Sequence, residues 1–217
     1  MSGFFITFEG VDGCGKTTQA KSLLKKFSAL NINHIYVREP GGTVISENVR
    51  ALLLDNAHAN MHARTELLLF AAARAQIVEE VIRPALAVGK AVICDRYTDS
   101  TAAFQGYGRA LDIQMIDAAI QLATNGLHPD LTFLFDLSLE TAKQRRENAG
   151  KSDDRLEAET LAFHQRVRNG YLQIAQENFH RFVVIDAENP VKTQENEVWE
   201  KIYTFAKDIG FELENKK

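Results

Sequence analysis

Glycine, lysine and threonine follow the spacing Gly-x4-Gly-Lys-Thr over residues 10–17, within the segment FEGVDGCGKTT (residues 8–18). Between an apolar run and a helix-forming run, such a loop binds the phosphates of a nucleoside triphosphate through backbone N–H groups. Lys16 would then reach the β- and γ-phosphates, and the Thr17 hydroxyl would ligate Mg²⁺. The alternative is a glycine-rich turn that matches by chance, which the flanking elements argue against. The residues expected to bind the nucleotide are Gly10, Val11, Asp12, Gly13, Cys14, Gly15, Lys16, Thr17 and Thr18.

The loop contains an acid, Asp12, whereas residues 11–14 contain no Lys or Arg. Asp12 is either a turn residue that hydrogen-bonds its own backbone or a carboxylate that faces a hydroxyl or a Mg²⁺-bound water. A carboxylate among phosphates is costly unless it faces a donor or a metal. The sequence therefore raises the question of which residue supplies the missing positive charge.

Two further segments have charged residues at the ends of predicted strands. DRYTDS (residues 95–100) offers Asp95, which can support Mg²⁺ through water, and Arg96, which can bridge phosphate oxygens. REPGGT (residues 38–43) offers Arg38 before a Pro-Gly-Gly turn. Because the carboxyl ends of parallel strands line the ligand crevice, we expect both arginines to face one site. The alternatives are a surface ion pair between Asp95 and Arg96 and a stiff turn after Arg38.

An aromatic residue and an arginine share one helical face in ELLLFAAARAQ (residues 66–76). Phe70 and Arg74 are four residues apart, so together they could stack on a base and hydrogen-bond its edge. The alternative, which the spacing alone favours, has Phe70 in the core and the Arg74 head group in solvent. FQGYGR (residues 104–109) has the same ambiguity.

Cations crowd the polar segment KQRRENAGKSDDR (residues 143–155). They form either a solvated charged face or a lid that closes over the triphosphate and supplies arginines. The residues considered for a lid are Arg145, Arg146, Lys151 and Arg155. His58 and His62 are also four residues apart, but no third metal ligand is evident, and we expect both at the surface.

Five short apolar runs alternate with longer helical patterns, which predicts an α/β fold with three layers (α/β/α) and a five-stranded parallel sheet. No interdomain linker or internal repeat is evident, so we expect a single domain over residues 1–217. The predicted strands are FFITFE (4–9), HIYVRE (34–39), AVICD (91–95), LTFLFD (131–136) and FVVID (182–186). The helical patterns cover residues 16–29, roughly 43–87, 112–124, 139–179 and 192–208, and the polar residues 145–155 interrupt one of them.

Composition argues against several classes of partner. The net charge of −4 and a pI near 5.9 disfavour a broad nucleic-acid surface, so we expect no nucleic acid polymer as a partner. Because no apolar run approaches the ~20 residues of a membrane span, we expect no membrane association. The segment MSGFFITFEG lacks the pattern of a signal peptide. The two cysteines, Cys14 and Cys94, show no bridging pattern, which predicts a reduced, cytoplasmic environment.

Five motifs in sequence order resemble the bacterial thymidylate kinase family: FEGVDGCGKTT, REPGGT, LLLFAAARAQ, DRYTDSTAAFQG and DDRLE. The resemblance runs from residue 4 to about residue 187. It implies a nucleoside monophosphate kinase of the P-loop fold that transfers the γ-phosphoryl group of ATP to dTMP, with Mg²⁺. It also implies a homodimer, for which the apolar helical stretches 63–87 and 112–124 could supply the interface.

The resemblance implies roles at the acceptor site as well. Asp12 would meet the 3′-hydroxyl of the deoxyribose, and Phe104 would fill the space of a ribose 2′-hydroxyl. Phe70 would stack on thymine and Arg74 would bond its carbonyl edge. The full set of implied acceptor residues is Asp12, Arg38, Phe70, Arg74, Arg96, Ser100, Thr101, Phe104 and Gln105, with Arg38 and Arg96 on the phosphate.

The family divides by whether an arginine lies in the phosphate loop or in the lid, and this chain resembles the lid-arginine type. Residues 145–155 would form that lid. The catalytic residues implied are Asp12, Lys16, Arg96, Arg145 and Arg155, and the implied Mg²⁺ ligands are Thr17 and Asp95.

Two other functions share parts of this pattern. A kinase for another monophosphate or for a deoxynucleoside would have the same phosphate loop, but the Phe70/Arg74 pair and the REPGGT turn argue against it. A phosphate-loop switch such as a GTPase would carry an Asn-Lys-x-Asp motif that reads guanine, and the sequence has none.

Overall fold

The computed structural model describes residues 3–150, 152–211 and 213. The strands in these residues are β1 Phe5–Glu9, β2 His34–Arg38, β3 Ala91–Asp95, β4 Leu131–Asp136 and β5 Phe182–Asp186. All are parallel and form one sheet in the order β2-β3-β1-β4-β5. Each lies within a predicted apolar run, so the predicted parallel sheet is confirmed.

Helices cover both faces of the sheet, which confirms the three-layer prediction. Ile6 and Phe8 of β1 pack in one core, and Phe5 packs in a second core on the opposite face. Because side chains alternate across a strand, a strand covered on both faces is apolar throughout. The helices are α1 Lys16–Ala29, α2 Val44–Leu54, α3 Ala63–Ile77, α4 Arg83–Ala87, α5 Thr98–Thr101, α6 Ile113–Thr124, α7 Leu139–Asn148, α8 Leu161–Glu177 and α9 Val191–Asp208.

Residues 43–87, which have a helical pattern, do not form a single helix. Asp55 ends α2 in an extended conformation, and its carboxylate accepts a hydrogen bond from the Ala57 amide (2.8 Å), which starts the short 3₁₀ turn Asn56–His58. Beyond it, α3 and α4 form one continuous rod through the π-helical turn Val78–Ile82. A local side-chain bond at Asp55 thus competes with the helix.

In two other stretches, the observed elements differ in detail from the predicted ones. Residues 98–108, for which the pattern predicts no element, form α5 and a π-helical turn, Ala102–Gly108. The stretch 139–179 divides into α7 and α8 around its polar interruption. Among the described residues, no helix is long and apolar enough to cross a membrane.

The predicted crevice lies at the carboxyl edge of the sheet. β1 pairs with β3 so that Phe8 is opposite Asp95, and β2 pairs with β3 so that Arg38 is opposite Asp95. Glu9, Arg38 and Asp95 therefore end at the same edge, from which the phosphate loop starts.

Candidate active site

The phosphate loop leaves β1 at Gly10 and enters α1 at Lys16. Gly10 and Gly13 have φ angles of 137° and 85°, which residues with a side chain rarely adopt. A Cβ at Gly10 would lie 2.5 Å from the Phe135 carbonyl oxygen, and one at Gly13 would lie 2.7 Å from that of Ala142. Because β4 and α7 approach the loop this closely, only glycine fits at these two positions.

The Asp12 carboxylate is paired with two cations. Arg96 Nη2 lies 2.6 Å from Asp12 Oδ1, and Lys16 Nζ lies 3.6 Å from the same oxygen. Burial alone would raise the pKa of Asp12, but Arg96 and Lys16 outweigh burial and lower this pKa below its ordinary value. Asp12 is therefore ionised at neutral pH. The positive charge that residues 11–14 lack is supplied by Arg96, from the end of β3.

Arg96 directly follows β3 and has a φ of 73°, which is uncommon for a residue other than glycine. Its Nη1 donates to the Gly10 carbonyl oxygen (2.9 Å) and to the hydroxyls of Tyr171 (3.1 Å) and Ser100 (3.3 Å). The guanidinium thus bridges the phosphate loop, α5 and α8. The alternative of a surface ion pair with Asp95 is wrong, because Asp95 is only 4% exposed and Arg96 pairs with Asp12.

Thr17 and Asp95 form the pair of oxygen groups expected near Mg²⁺. Thr17 Oγ1 donates to Asp95 Oδ2 at 2.5 Å, and the Tyr36 hydroxyl donates to the same carboxylate oxygen at 3.2 Å. A hydroxyl and a carboxylate beside a phosphate loop match the hard oxygen ligands that Mg²⁺ takes, with phosphate and water oxygens completing its shell. The donor set present therefore fits this ion.

A pocket opens beside the phosphate loop. Among its lining residues are Asp12 and Arg96, the pair described above. Its wall comes from the phosphate loop, the turn after β2, α2, α3, α5 with the following π-helical turn, and the segment before α8. The lining residues are Asp12, Glu39, Pro40, Arg50, Leu54, Phe70, Arg74, Arg96, Ser100, Thr101, Phe104, Gln105, Asp154 and Leu156.

Phe70 and Arg74 both line this pocket. The alternative is wrong for both residues: Phe70 is half-buried at the wall, whereas Arg74 is only 2% exposed. Arg74 donates to Glu39 Oε2 (2.7 Å), the Thr101 hydroxyl (2.8 Å) and the Tyr97 carbonyl oxygen (2.9 Å). A guanidinium held by three acceptors keeps a fixed orientation at the pocket wall.

The helical segment after β3 supplies four predicted acceptor residues, and all four line the pocket: Ser100, Thr101, Phe104 and Gln105. The Phe104 ring lies 5.2 Å from the Arg96 guanidinium carbon, and Gln105 donates to Glu66 Oε1 at 2.9 Å. For FQGYGR, the structure therefore combines both interpretations, since Phe104 is buried and also faces the pocket.

Arg38 is bonded to Glu47, with 2.8 Å between Nη2 and Oε1, and its side chain is 38% exposed. Arg50, which the sequence patterns did not single out, lines the pocket and donates to the Pro40 carbonyl oxygen at 3.1 Å. The feature that could have identified Arg50 is its spacing on α2. It lies four residues after the buried Ser46, so both residues are on the same face of the helix.

The two lid arginines with implied catalytic roles are bonded within the protein. Arg145 Nη2 donates to the Ala187 carbonyl oxygen at 3.0 Å. Arg155 is 5% exposed, and it donates to the Leu53 carbonyl oxygen and to Glu66 Oε2, both at 2.7 Å. The part of the segment around Arg155 is thus attached to α2 and α3.

Arg146 is the lid cation that the structure brings against the phosphate loop. Its Cγ lies 3.3 Å from where a Cβ on Gly13 would be, and its charge helps to lower the pKa of Asp12. Its Nε lies 3.8 Å from Asp153 Oδ1. Lys151, the fourth predicted lid cation, lies outside the described residues.

The histidine pair is not part of this site. His62 precedes α3, where its Nδ1 accepts from the Arg64 amide at 3.2 Å, and His58 is half-buried in the 3₁₀ turn. Within the described ranges, no group of three or more His, Cys, Asp or Glu side chains is arranged to hold a metal ion.

Glu9 and Tyr171 belong to the site, although neither is among the residues predicted for it. Glu9 is a strand-end acid next to the motif, and its carboxylate is fully buried beneath Arg96 and Ser100. Tyr171 lies in α8, far along the chain, and only the tertiary fold brings its hydroxyl to Arg96.

A phosphate loop, a parallel sheet of the P-loop kinase type and a pocket with cations beside that loop together define a phosphoryl-transferring nucleotide kinase. The thymidylate kinase family model matches residues 8–198. The chain therefore belongs to the thymidylate kinase family.

Individual relatives agree with this assignment. The chain is 51% identical over 190 residues to thymidylate kinase of Geotalea daltonii, covering 85% of this chain and 89% of the relative. It is 47% identical over 192 residues to that of Pelotomaculum thermopropionicum, covering 88% and 89%. The crystal structure of thymidylate kinase from Ehrlichia chaffeensis superposes with a TM-score of 0.74 at 36% identity, covering 93% of this chain and 99% of that one.

Proposed function

We propose that this protein transfers the γ-phosphoryl group of ATP to dTMP, giving ADP and dTDP for dTTP synthesis. One observation carries the proposal: the pair Phe70 and Arg74 and the pair Asp12 and Arg96 line one pocket beside the phosphate loop. One bound nucleotide can therefore present its base to the first pair and its sugar and phosphate to the second. The family to which the chain belongs supports the same reaction.

The acceptor's base would stack on the half-buried Phe70 ring, with Arg74 bonding its carbonyl edge. Arg74 is suited to this role because Glu39, Thr101 and the Tyr97 carbonyl hold its guanidinium in one orientation. A donor held in one orientation binds its acceptor more tightly than a mobile donor does, because little side-chain entropy is lost on binding.

The main obstacle to the reaction is repulsion between two polyanions. One pair of like unit charges ~4 Å apart costs ~4 kcal/mol at an effective dielectric constant of ~20. Lys16, Arg38 and Arg96 would offset this charge and align the groups, with lid arginines adding further positive charge. The second pKa of a phosphate monoester is ~6, so the acceptor is largely a dianion at neutral pH and needs no strong general base.

Mg²⁺ would be held through Thr17 and, by way of water, Asp95, whose oxygens already lie 2.5 Å apart. When bound, the ion neutralises part of the charge on the donor phosphates. The Asp12 carboxylate, ionised beside Arg96 and Lys16, would accept from the acceptor's 3′-hydroxyl.

We also propose that residues 1–217 form one domain, in which residues 145–155 act as a lid. The support is that Arg145 and Arg146 lie in the last turn of α7, beside the phosphate loop, whereas Arg155 is attached to α3 through Glu66. A lid with one attached end can close by a small movement, which would exclude water and suppress ATP hydrolysis.

A homodimer is proposed on the basis of apolar side chains left exposed on α3 and α6, which lie next to each other. Leu68 is 65% exposed and Leu122 is 84% exposed. Ile113 and Met115 are exposed on the same pair of helices. A second subunit could cover exposed apolar side chains on neighbouring helices of this kind. A cytoplasmic location is proposed because Cys14 and Cys94 are both free thiols.

The test is ADP formation from ATP with dTMP, compared with dUMP, dCMP, dGMP and AMP under the same conditions. We expect the highest kcat/KM with dTMP and almost no ADP without an acceptor. A higher value with another monophosphate would assign the pocket to that nucleotide instead. Slow hydrolysis that does not depend on any acceptor would favour a nucleotide switch and contradict the proposal.

A further inference from the structure

Glu9 is a buried acid with an unusually complete set of donors. The last residue of β1, it is 0% exposed. Its Oε1 accepts from the Tyr97 amide at 2.7 Å, and its Oε2 accepts from the hydroxyls of Ser100 (2.6 Å) and Tyr171 (3.0 Å). Burying a carboxylate is costly, and apolar packing would cover the same space without that cost. The acid therefore calls for a reason beyond packing.

We find that reason at Arg96, which is hydrogen-bonded to the same hydroxyl groups as Glu9. Arg96 Nη1 donates to the same two hydroxyl oxygens, at 3.3 Å for Ser100 and 3.1 Å for Tyr171. A hydroxyl carries one hydrogen and two lone pairs. When both hydrogens are donated to Glu9, the lone pairs are free to accept from the guanidinium.

We propose that Glu9 is a positioning residue for phosphoryl transfer: its carboxylate orients two hydroxyl groups whose oxygens hold the Arg96 guanidinium against the phosphate loop. The role rests on the function proposed above. It deepens that function, because Glu9 acts through Arg96 and not by touching the substrate.

The charge on Glu9 matters to this arrangement. A carboxylate only accepts, so a hydroxyl that bonds Glu9 points its hydrogen toward the carboxylate and away from Arg96. The Ser100 and Tyr171 oxygens are also 2.8 Å apart, so a chain of hydrogen bonds can pass from one hydroxyl to the other before it reaches Glu9. A protonated Glu9 donates its own hydrogen to one hydroxyl. That hydroxyl must then turn its hydrogen away from Glu9, and Glu9 occupies one of its two lone pairs, which leaves a single lone pair for Arg96.

The surroundings of Glu9 bring this protonation into the neutral range. Burial and the nearby Asp99 raise the pKa of Glu9 to about 7, against the lowering effects of Ser100, Arg96 and the Tyr97 amide. Because the ionised form is the orienting form, activity should rise as pH increases through this value. The titratable and charged groups that face Glu9 are Arg74, Cys94, Arg96, Asp99 and Tyr171.

The experiment compares the pH dependence of kcat/KM for dTMP in the wild-type enzyme, Glu9→Gln and Asp130→Asn. Asp130 is the control, since it is an exposed acid whose Oδ2 accepts from the Phe5 amide (2.7 Å) at the opposite end of the sheet. We expect Glu9→Gln to lose about 10- to 100-fold in kcat, with a smaller change in KM. At low pH, the pH profile of this variant should reflect only the ionisation of the acceptor phosphate, with a pKa of ~6. Asp130→Asn should keep the wild-type pH profile.

Several outcomes would overturn the role of Glu9. One is wild-type kcat/KM and pH profile in Glu9→Gln. Another is a Glu9→Gln variant with a reduced kcat whose pH profile falls at low pH just as that of the wild type does. The loss of activity would then not come from ionisation of the Glu9 carboxylate. If Glu9→Gln does not fold, Tyr171→Phe gives the same test, and it should lower kcat and shift the acid limb to higher pH. Failure of the wild-type enzyme to form dTDP would instead contradict the proposed function.

Discussion

Arg96 Nη2 lies 2.6 Å from Asp12 Oδ1, so the phosphate loop and the end of β3 are joined by a direct ion pair. This contact answers the question raised by an acid inside a loop that lacks its own cation. Asp12 is compensated from outside the loop, and Arg96 is held against the loop by this pair and by the Gly10 carbonyl oxygen. The ion pair thus links the side chain of the loop acid to the residue that follows β3.

Replacing Arg96 with alanine should remove most turnover while the protein stays folded. Its guanidinium bonds Asp12 and the Gly10 carbonyl oxygen, so it lies against the phosphate loop, beside which charge would develop on the transferred group. We expect kcat to fall on the order of 100-fold or more, measured by ADP release with dTMP. Arg96→Lys should recover little, because an ammonium group does not reproduce the planar set of donors. Near-wild-type kinetics in Arg96→Ala would contradict the assigned role.

The fold and the glycine-rich loop between β1 and α1 could be predicted from the sequence because their signals are local. One short segment contains a strand of five residues, a glycine-rich loop and the beginning of a helix. Each of these has its own sequence pattern. The helical spacing of Phe70 and Arg74 likewise predicted a shared face, which the pocket confirms.

The rest of the site depends on contacts between residues far apart in sequence. Glu9 and Tyr171 are separated by 162 positions, and Glu66 and Arg155 by 89. No local pattern distinguishes Arg155, which is buried, from Arg146, which lies against the phosphate loop, because both sit in one polar segment. Tertiary packing decides which cation is buried and which lies against the phosphate loop.

Shortening Phe104 should weaken discrimination against ribonucleotides. Phe104 lines the pocket, and its ring is packed edge-on against Phe163 and Tyr171, which leaves it little freedom to move aside. In Phe104→Ala we expect the ratio of kcat/KM for dTMP to that for its ribo form to fall about 10-fold or more. Phe104→Tyr keeps the bulk and should keep the ratio. An unchanged ratio in the alanine variant would exclude the steric explanation.

Neither cysteine should react readily in the folded protein. Cys14 and Cys94 are both 0% exposed, and burial raises the pKa of each thiol above its ordinary value. The thiolate is the reactive form, so at pH 7 to 8 both groups are protonated as well as inaccessible. We expect a thiol reagent to label them only after unfolding in denaturant. Rapid labelling of the native protein at Cys14, with loss of ATP binding, would show that the loop opens.

The lid arginines should separate into one that supports stability and one that supports turnover. Arg155→Ala removes donors from Glu66 and from the Leu53 carbonyl oxygen in a buried setting, so it should lower the free energy of unfolding by about 1.5–3 kcal/mol. Arg146→Ala should leave stability nearly unchanged but lower kcat on the order of 100-fold, because this cation lies next to Gly13 and Asp12.

Urea unfolding and steady-state kinetics on the same samples test this separation, with Arg145→Ala as the matched variant from the same helical turn. Arg145 bonds the Ala187 carbonyl oxygen, so its loss should reduce kcat less than the loss of Arg146 does. A stable but inactive Arg155→Ala, beside a fully active Arg146→Ala, would contradict the assignment. It would mean that the contact between Arg155 and Glu66 breaks when nucleotides bind, and that Arg155 then moves to the transferred phosphate.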